Sequence, residues 1–142
     1  SKKGILQKDI ISEHGQRVIE HFDIRAGEGS TTIARALSGG TQQKVILGRE
    51  IDRNPDLLIA IQPTRGLDVG AIEYIHKRLI EQRDKGKAVL LISLELDEIL
   101  NLSDRIAVIN NGELVGLVDG EMANENEIGL MMAGIKRGES DE

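Results

Sequence analysis

The sequence has 142 residues, a formal net charge of -6, 39% apolar residues, 30% charged residues and no cysteine. This composition is typical of one soluble globular domain with a modest core, and the lack of cysteine excludes disulfides and thiolate metal sites. A single tyrosine and a single phenylalanine, together with the acidic charge, argue against nucleic-acid binding, which needs stacking rings or a basic face.

The first third of the chain predicts two helices joined by a loop. Residues 8–22 carry apolar side chains at helical spacing. A loop over residues 25–36 follows, with glycine, serine and threonine. The segment LSGGTQQKVILGREIDRNP then predicts a helix that begins after Ser38 and ends before Asn54-Pro55.

The remainder predicts alternating strands and helices. DLLIAI and KAVLLIS are apolar runs that indicate buried strands, and the helix VGAIEYIHKRLIEQRDKG between them ends at Gly86. ELDEILNLSD predicts a short helix, and RIAVINNGELVGLVDG predicts a hairpin that turns at Asn111-Gly112. Residues 123–133 form a last predicted helix. This alternation favours an α/β fold with a mostly parallel sheet and a C-terminal β-hairpin.

Ser38, Gly39 and Gly40 form a candidate anion site at the start of the second predicted helix. The first amides of a helix have no partner within the helix, and the helix dipole is positive at that end, so phosphate is a suitable ligand. The alternative is an ordinary serine N-cap followed by two flexible glycines.

Three segments in a fixed order carry a family resemblance: LSGGTQQK, then PDLLIAIQPTRGLD, then AVLLIS. Over residues 10–132 the sequence resembles the second half of an ATP-binding-cassette (ABC) ATPase, which implies part of a P-loop NTPase fold. In that family ATP lies between two cassettes. The resemblance implies that Ser38, Gly39 and Gly40 contact the γ-phosphate of an ATP held by a partner cassette. Thr41 replaces the usual glutamine of the family, and Gln42 is expected to help set the helix start.

The same resemblance marks a half-site that lacks its catalytic groups. Ile61 and Gln62 stand where the family has Asp-Glu, and Leu94 stands where it has histidine. Isoleucine cannot coordinate magnesium, and glutamine cannot accept a proton from water at neutral pH. We therefore expect no intact catalytic residue and no metal ligand in this half-site.

Asp68 ends the loop QPTRGLD. It matches the family position that crosses the seam between two cassettes and supports the opposite site. The alternative is an N-cap for the helix that begins near Gly70, and both roles can hold at once.

Two further features have ordinary interpretations. GEGSTT, residues 27–32, lacks the lysine and the spacing of a phosphate-binding loop, so we interpret it as a plain loop. The three histidines are far apart in sequence and do not have the spacing of metal ligands.

The resemblance implies a chain that begins inside the helical subdomain of a cassette. Residues 1–54 would be part of that subdomain with its signature helix, residues 55–134 the C-terminal part of the ATPase core, and residues 135–142 a flexible acidic tail. The Walker A strand would be lacking. We expect strands 88–93 and 105–109 either to pair directly or to recruit a second copy of the chain.

The implied function is that of the second, degenerate cassette of a bacterial sugar or nucleoside importer. ATP and magnesium would be the cofactors of the assembled parent, whereas the chain alone would bind neither and would be inactive. Expected partners are another cassette, membrane permease subunits and, indirectly, an extracytoplasmic solute-binding protein, with no nucleic acid. The location would be the cytoplasmic face of the membrane. Two alternatives stay open: slow hydrolysis at the altered site, and the head lobe of a chromosome-structuring or repair ATPase.

Overall fold

The computed structural model describes residues 4–135. It contains five helices of seven residues or more and four strands in that range, and the predicted α/β fold class is confirmed. In chain order these elements are α1 (Lys8–His21), α2 (Gly39–Asp52), β1 (Leu57–Ile61), α3 (Val69–Asp84), β2 (Ala88–Ile92), α4 (Leu96–Leu102), β3 (Arg105–Asn110), β4 (Glu113–Asp119) and α5 (Glu125–Met132).

Local chemistry ends the helices close to the predicted positions. Gly86 adopts a φ of +78° after α3, and its amide donates to Arg83 while the next amide donates to Gln82, a motif that only a left-handed residue allows. Asp23 has the same role after α1, with a φ of +48° that costs a non-glycine residue about 1 kcal/mol.

Strands β1 and β2 form a two-stranded sheet. The amide of Ala88 donates to the carbonyl of Asp56, so the starts of the two strands lie side by side and the strands are parallel. The prediction that both strands are buried is wrong for one face of β1 and for the whole of β2. Leu58 and Ala60 of β1 are buried, but Leu57, Ile59 and Ile61 are exposed. In β2 no residue is buried: Val89 and Leu91 are half-buried and the other three are exposed, because little of this sheet is covered within residues 4–135.

Strands β3 and β4 form an antiparallel hairpin, as predicted. Asn111 and Gly112 both have positive φ, which is the conformation of a type I′ turn. Ile106 and Val108 of β3 pack with Val118 of β4, and α5 adds Ile128 and Met131 to the same core.

The observed strand pairs test the prediction that strands 88–93 and 105–109 pair directly or recruit a second copy of the chain. β2 pairs with β1 and β3 pairs with β4, so direct pairing of strands 88–93 and 105–109 is not observed among the described residues. The two-residue turn brings β4 to one edge of β3 at low entropic cost, which accounts for the pair that forms. Recruitment of a second copy stays a prediction.

The chain divides into two compact units between Leu90 and Leu91. The expected boundary between residues 54 and 55 separates the helical subdomain of a cassette from its ATPase core, and it stays a prediction. The predicted acidic tail, apart from Ile135, lies outside the described residues.

In the first unit, α1, α2 and α3 share a core with β1. Phe22 is 1% exposed and lies against α2 at Gly48, where a Cβ atom would come within 2.8 Å of the phenyl ring. Gly48 therefore sets how closely α1 and α2 approach.

Candidate functional site at the start of α2

Ser38 is the N-cap of α2. Its backbone is extended, with φ -62° and ψ 157°, and its Oγ accepts a hydrogen bond of 3.3 Å from the amide of Thr41. The Thr41 hydroxyl lies 2.9 Å from the same oxygen. The cap residue lies directly before the two glycines, so Gly39 and Gly40 are the first two residues of the helix.

Gly39 and Gly40 carry the two amides that the cap leaves open. The amide of Thr41 bonds to the Ser38 side chain, and that of Gln42 bonds to the Ser38 carbonyl at 2.8 Å. Within residues 4–135 neither the amide of Gly39 nor that of Gly40 donates a hydrogen bond. Two adjacent bare amides at the positive end of a 14-residue helix can bind an oxygen of an anion.

Gln42 holds the residue before the cap. Its side-chain nitrogen donates to the carbonyl of Leu37 at 2.8 Å. Leu37 is extended, with φ -80° and ψ 148°, and follows a short 3₁₀ turn over Ala34–Ala36. The contact fixes the direction in which the chain enters α2.

Asp68 lies beside this helix start. Its Oδ1 accepts a 2.9 Å hydrogen bond from the amide of Ala71, so Asp68 is the N-cap of α3. A Cβ atom at Gly40 would stand 3.0 Å from the Ala71 Cβ and 3.8 Å from the Asp68 carboxylate. The structure therefore brings the starts of α2 and α3 together, and a side chain at Gly40 would crowd Ala71.

Ile61 and Gln62 occupy the end of β1 and the turn after it. Ile61 is 65% exposed. Gln62 has a φ of +47°, a left-handed conformation that is uncommon for glutamine, and its carbonyl accepts from the amide of Arg65 at 3.3 Å. The following Pro63 and Thr64 are buried, so they anchor the turn.

Leu94 belongs to the second unit and is 73% exposed. It lies between Ser93, whose hydroxyl accepts from the amide of Glu95 at 3.0 Å, and the start of α4. No side chain at Ile61 or Leu94 can bind a cation or move a proton. In the part of the chain that the structure describes, no group of three or more His, Asp or Glu is arranged for a metal ion.

Sequence reasoning missed Lys44 and Tyr74, which join the elements around the site. Lys44 binds the backbone carbonyl and the carboxylate of Asp23, both at 3.2 Å, and its Nζ lies 4.2 Å from the centre of the Tyr74 ring. A sequence signal existed: Gly40, Lys44 and Gly48 recur every four residues, so they lie in one row of the helix.

Solved structures place this geometry in a known fold. The ADP conformation of an ATP-binding cassette of an ABC transporter matches 93% of this chain with a TM-score of 0.66 and 26% identity. A nucleotide-free ATP-binding cassette from an ABC transporter matches 93% of the chain with a TM-score of 0.70 and 28% identity. In both cases the match covers 50% of the solved chain.

Curated relatives decide the family. Over 134 residues, 94% of this chain, the sequence is 61% identical to the nucleoside import ATP-binding protein NupA of Lactococcus lactis subsp. cremoris. It is 60% identical to the guanosine import ATP-binding protein NupO of Bacillus subtilis over the same length. The chain is homologous to a segment of the ABC import ATP-binding proteins.

A more distant member of these ABC import ATP-binding proteins, the glucose import ATP-binding protein TsgD13 of Haloferax volcanii, is 52% identical over 85% of the chain. The chain spans about a quarter of the length of these relatives, between 22% and 26%. No protein-family model matches it. Within residues 4–135 no helix has the length and apolar character needed to cross a bilayer.

Proposed function

We propose that this chain forms one half of a nucleotide site in an ABC importer for nucleosides or sugars, namely the half that carries the signature motif Leu37-Ser38-Gly39-Gly40. In this proposal Ser38, Gly39 and Gly40 act on an ATP molecule that a partner cassette holds. The observation that carries it is the pair of open amides at Gly39 and Gly40, in a chain 61% identical to a nucleoside import ATP-binding protein.

The start of α2 fits a phosphate group. Two neighbouring amides are open, and the serine hydroxyl beside them already has its own partner, Thr41, so it is held in place. Asp68, close to Gly40, is a carboxylate and would repel a phosphate in direct contact. Its role in the proposal is to support the partner cassette across the seam while its Oδ1 caps α3.

A magnesium ion does not fit this chain's own half-site. ATP and magnesium supply the reacting phosphate and its charge neutralisation in the assembled importer. Ile61 has no donor atom and Gln62 is an amide, so the ion and the base would belong to the partner cassette. We propose accordingly that Ile61, Gln62 and Leu94 mark a degenerate half-site and that the isolated chain does not hydrolyse ATP.

The proposed assembly follows from this division of roles. The chain would act with a second cassette, which we place in the same polypeptide. It would also act with membrane permease subunits at the cytoplasmic face of the membrane. An extracytoplasmic binding protein would select the solute. No observation favours the head-lobe alternative, since the relatives described above are named for import.

Substitution of Ser38 tests the proposal without disturbing the helix. Aspartate is as good an N-cap as serine and also suits the helix dipole, so Ser38→Asp keeps α2 but places a negative charge beside the open amides. Ser38→Asn is the matched neutral control. In the full-length protein assembled with its permease, we expect Ser38→Asp to lower ATP turnover at least about tenfold.

Ser38→Asn is expected to stay within about threefold of the parent, since it keeps the cap and adds no charge. Equal turnover in the Ser38→Asp protein and the parent protein, with both folded to the same extent by circular dichroism, would show that no phosphate approaches α2.

A further inference from the structure

We propose that Lys44 and Tyr74 are positioning residues for α2, the helix that begins at Ser38, Gly39 and Gly40. The proposal rests on the function proposed above and adds to it: these two side chains hold the open amides of α2 in register with Asp68 of α3.

The helix contact near the site consists of two opposed rows. On α2 the row is Gly40, Lys44 and Gly48, spaced by four residues. On α3 the opposing row begins with Ala71, whose Cβ would stand 3.0 Å from a Cβ at Gly40, and continues one turn later with Tyr74, which faces Lys44. The Lys44–Tyr74 contact is therefore the next attachment between the helices below the site.

The ammonium group of Lys44 makes three contacts with Asp23 and Tyr74. Its ammonium donates to the carbonyl and carboxylate of Asp23 and lies over the Tyr74 ring, and its side chain is only 17% exposed. A cation over an aromatic face is attracted by the ring quadrupole, more strongly when water is partly excluded. Asp23 is in the left-handed conformation that ends α1, so Lys44 also supports that turn.

Tyr74 joins the third helix to these contacts. Its hydroxyl donates to the carbonyl of Phe22 at 2.7 Å, and Phe22 in turn packs against Gly48 of α2. Arg78 also lies over the Tyr74 ring, with its guanidinium 5.0 Å from the ring centre. Both aromatic residues of the chain are thus used at the junction of α1, α2 and α3.

The contacts of Lys44 therefore determine where the first amides of α2 lie. Lys44 lies one helical turn, about 6 Å, below Gly40, so a tilt of α2 at Lys44 moves the amides of Gly39 and Gly40 relative to Asp68. Misplacement by about 1 Å can reduce a catalysed rate by up to about a hundredfold. Neither side chain touches the reacting atoms, so their effect would pass through the position of α2.

The test uses the full-length protein assembled with its permease. Lys44→Met keeps the apolar stem and removes the charge, and Lys44→Arg restores the charge. Lys77→Met, an exposed lysine of α3, is the control. We expect Lys44→Met to lower kcat about tenfold at saturating ATP while ADP affinity stays within about twofold, and Lys44→Arg to recover most of the rate.

A purely structural role would lower the folded fraction and leave kcat per folded molecule unchanged, and that result would overturn the proposal. Where Lys44→Met does not fold, Tyr74→Phe decides: it keeps the ring and loses only the hydrogen bond to Phe22, with an expected fall in kcat of about threefold. An unchanged kcat in Tyr74→Phe then overturns the proposal.

The Ser38→Asp variant separates the two proposals. A loss of turnover in Ser38→Asp with no change in Lys44→Met or Tyr74→Phe would leave the signature function standing and remove the positioning role. Unchanged turnover in Ser38→Asp would remove both.

Discussion

The hydroxyl of Tyr74 donates a 2.7 Å hydrogen bond to the carbonyl oxygen of Phe22, which joins the first turns of α3 to the end of α1. Partial burial of the ring raises the pKa of this phenol above its usual value of 10.0, against the opposing influence of Arg78. The protonated form is the one that the fold uses, because a phenolate cannot donate to a carbonyl.

We therefore expect the Tyr74 interaction to stabilise the fold at every pH below the ordinary pKa of tyrosine. The stabilisation should be lost as the pH rises through the raised pKa of the folded state. The chain has one tyrosine and no tryptophan, so phenolate absorbance reports Tyr74 alone. A spectrophotometric titration of the native chain should show a higher midpoint than the same titration in urea, whereas coincident midpoints would contradict the assignment.

Gly48 should not tolerate a methyl group. A Cβ atom would lie 2.8 Å from Cγ of Phe22, and because this rigid ring is 1% exposed, the packing of α1 against α2 would have to shift. We expect Gly48→Ala to lower the free energy of unfolding by about 1–3 kcal/mol in urea denaturation, although alanine is the better helix former. Gly70→Ala in α3 is the control, since its added Cβ meets only an ordinary 3.4 Å contact with Asp68. Equal stabilities of the two variants would contradict this account of the α1–α2 contact.

In the second unit, Gly120 and Gly116 should respond differently to alanine. A Cβ at Gly120 would collide with the backbone carbonyl of Ser103, which cannot move without the chain, whereas one at Gly116 would meet the flexible end of Met131 at 2.6 Å. We expect Gly120→Ala to cost about 3 kcal/mol of unfolding free energy and Gly116→Ala about 1 kcal/mol. Thermal unfolding of both variants gives the order, and a reversed order would contradict this account of the two contacts.

The altered half-site should not recover by repair of its acidic pair alone. Ile61 is exposed, so Ile61→Asp with Gln62→Glu should fold. Leu94 still leaves the histidine position without a polar group, so ATP turnover of the full-length double variant should rise by less than about twofold. Gln62→Glu alone is the control. A large rise in the double variant would favour the alternative of slow hydrolysis at an otherwise intact site.

Local patterns predicted much of this fold. The caps at Ser38 and Asp68, the turn at Asn111-Gly112 and the stop at Gly86 each depend on a few adjacent residues, and the structure has all of them. The exposure of Leu57 and Ile59 could not be predicted, because burial of a strand face depends on what packs on it.

The candidate site divides in the same way. Its serine and glycines are visible in the sequence, whereas the Tyr74–Phe22 bond joins residues 52 apart and follows only from the packing of three helices. The left-handed backbone of Gln62 was also missed, since glutamine carries no turn preference of the kind that asparagine and glycine have.

The central claim is that the amides of Gly39 and Gly40 face a nucleotide bound by another cassette. Hydrogen exchange of the segment Ser38–Gln42, measured by mass spectrometry in the full-length protein, tests it directly. A slowly hydrolysed ATP analogue should slow exchange in this segment, and ADP should not, because only the third phosphate reaches α2. Exchange that is equally fast with the analogue, with ADP and without nucleotide would contradict the claim.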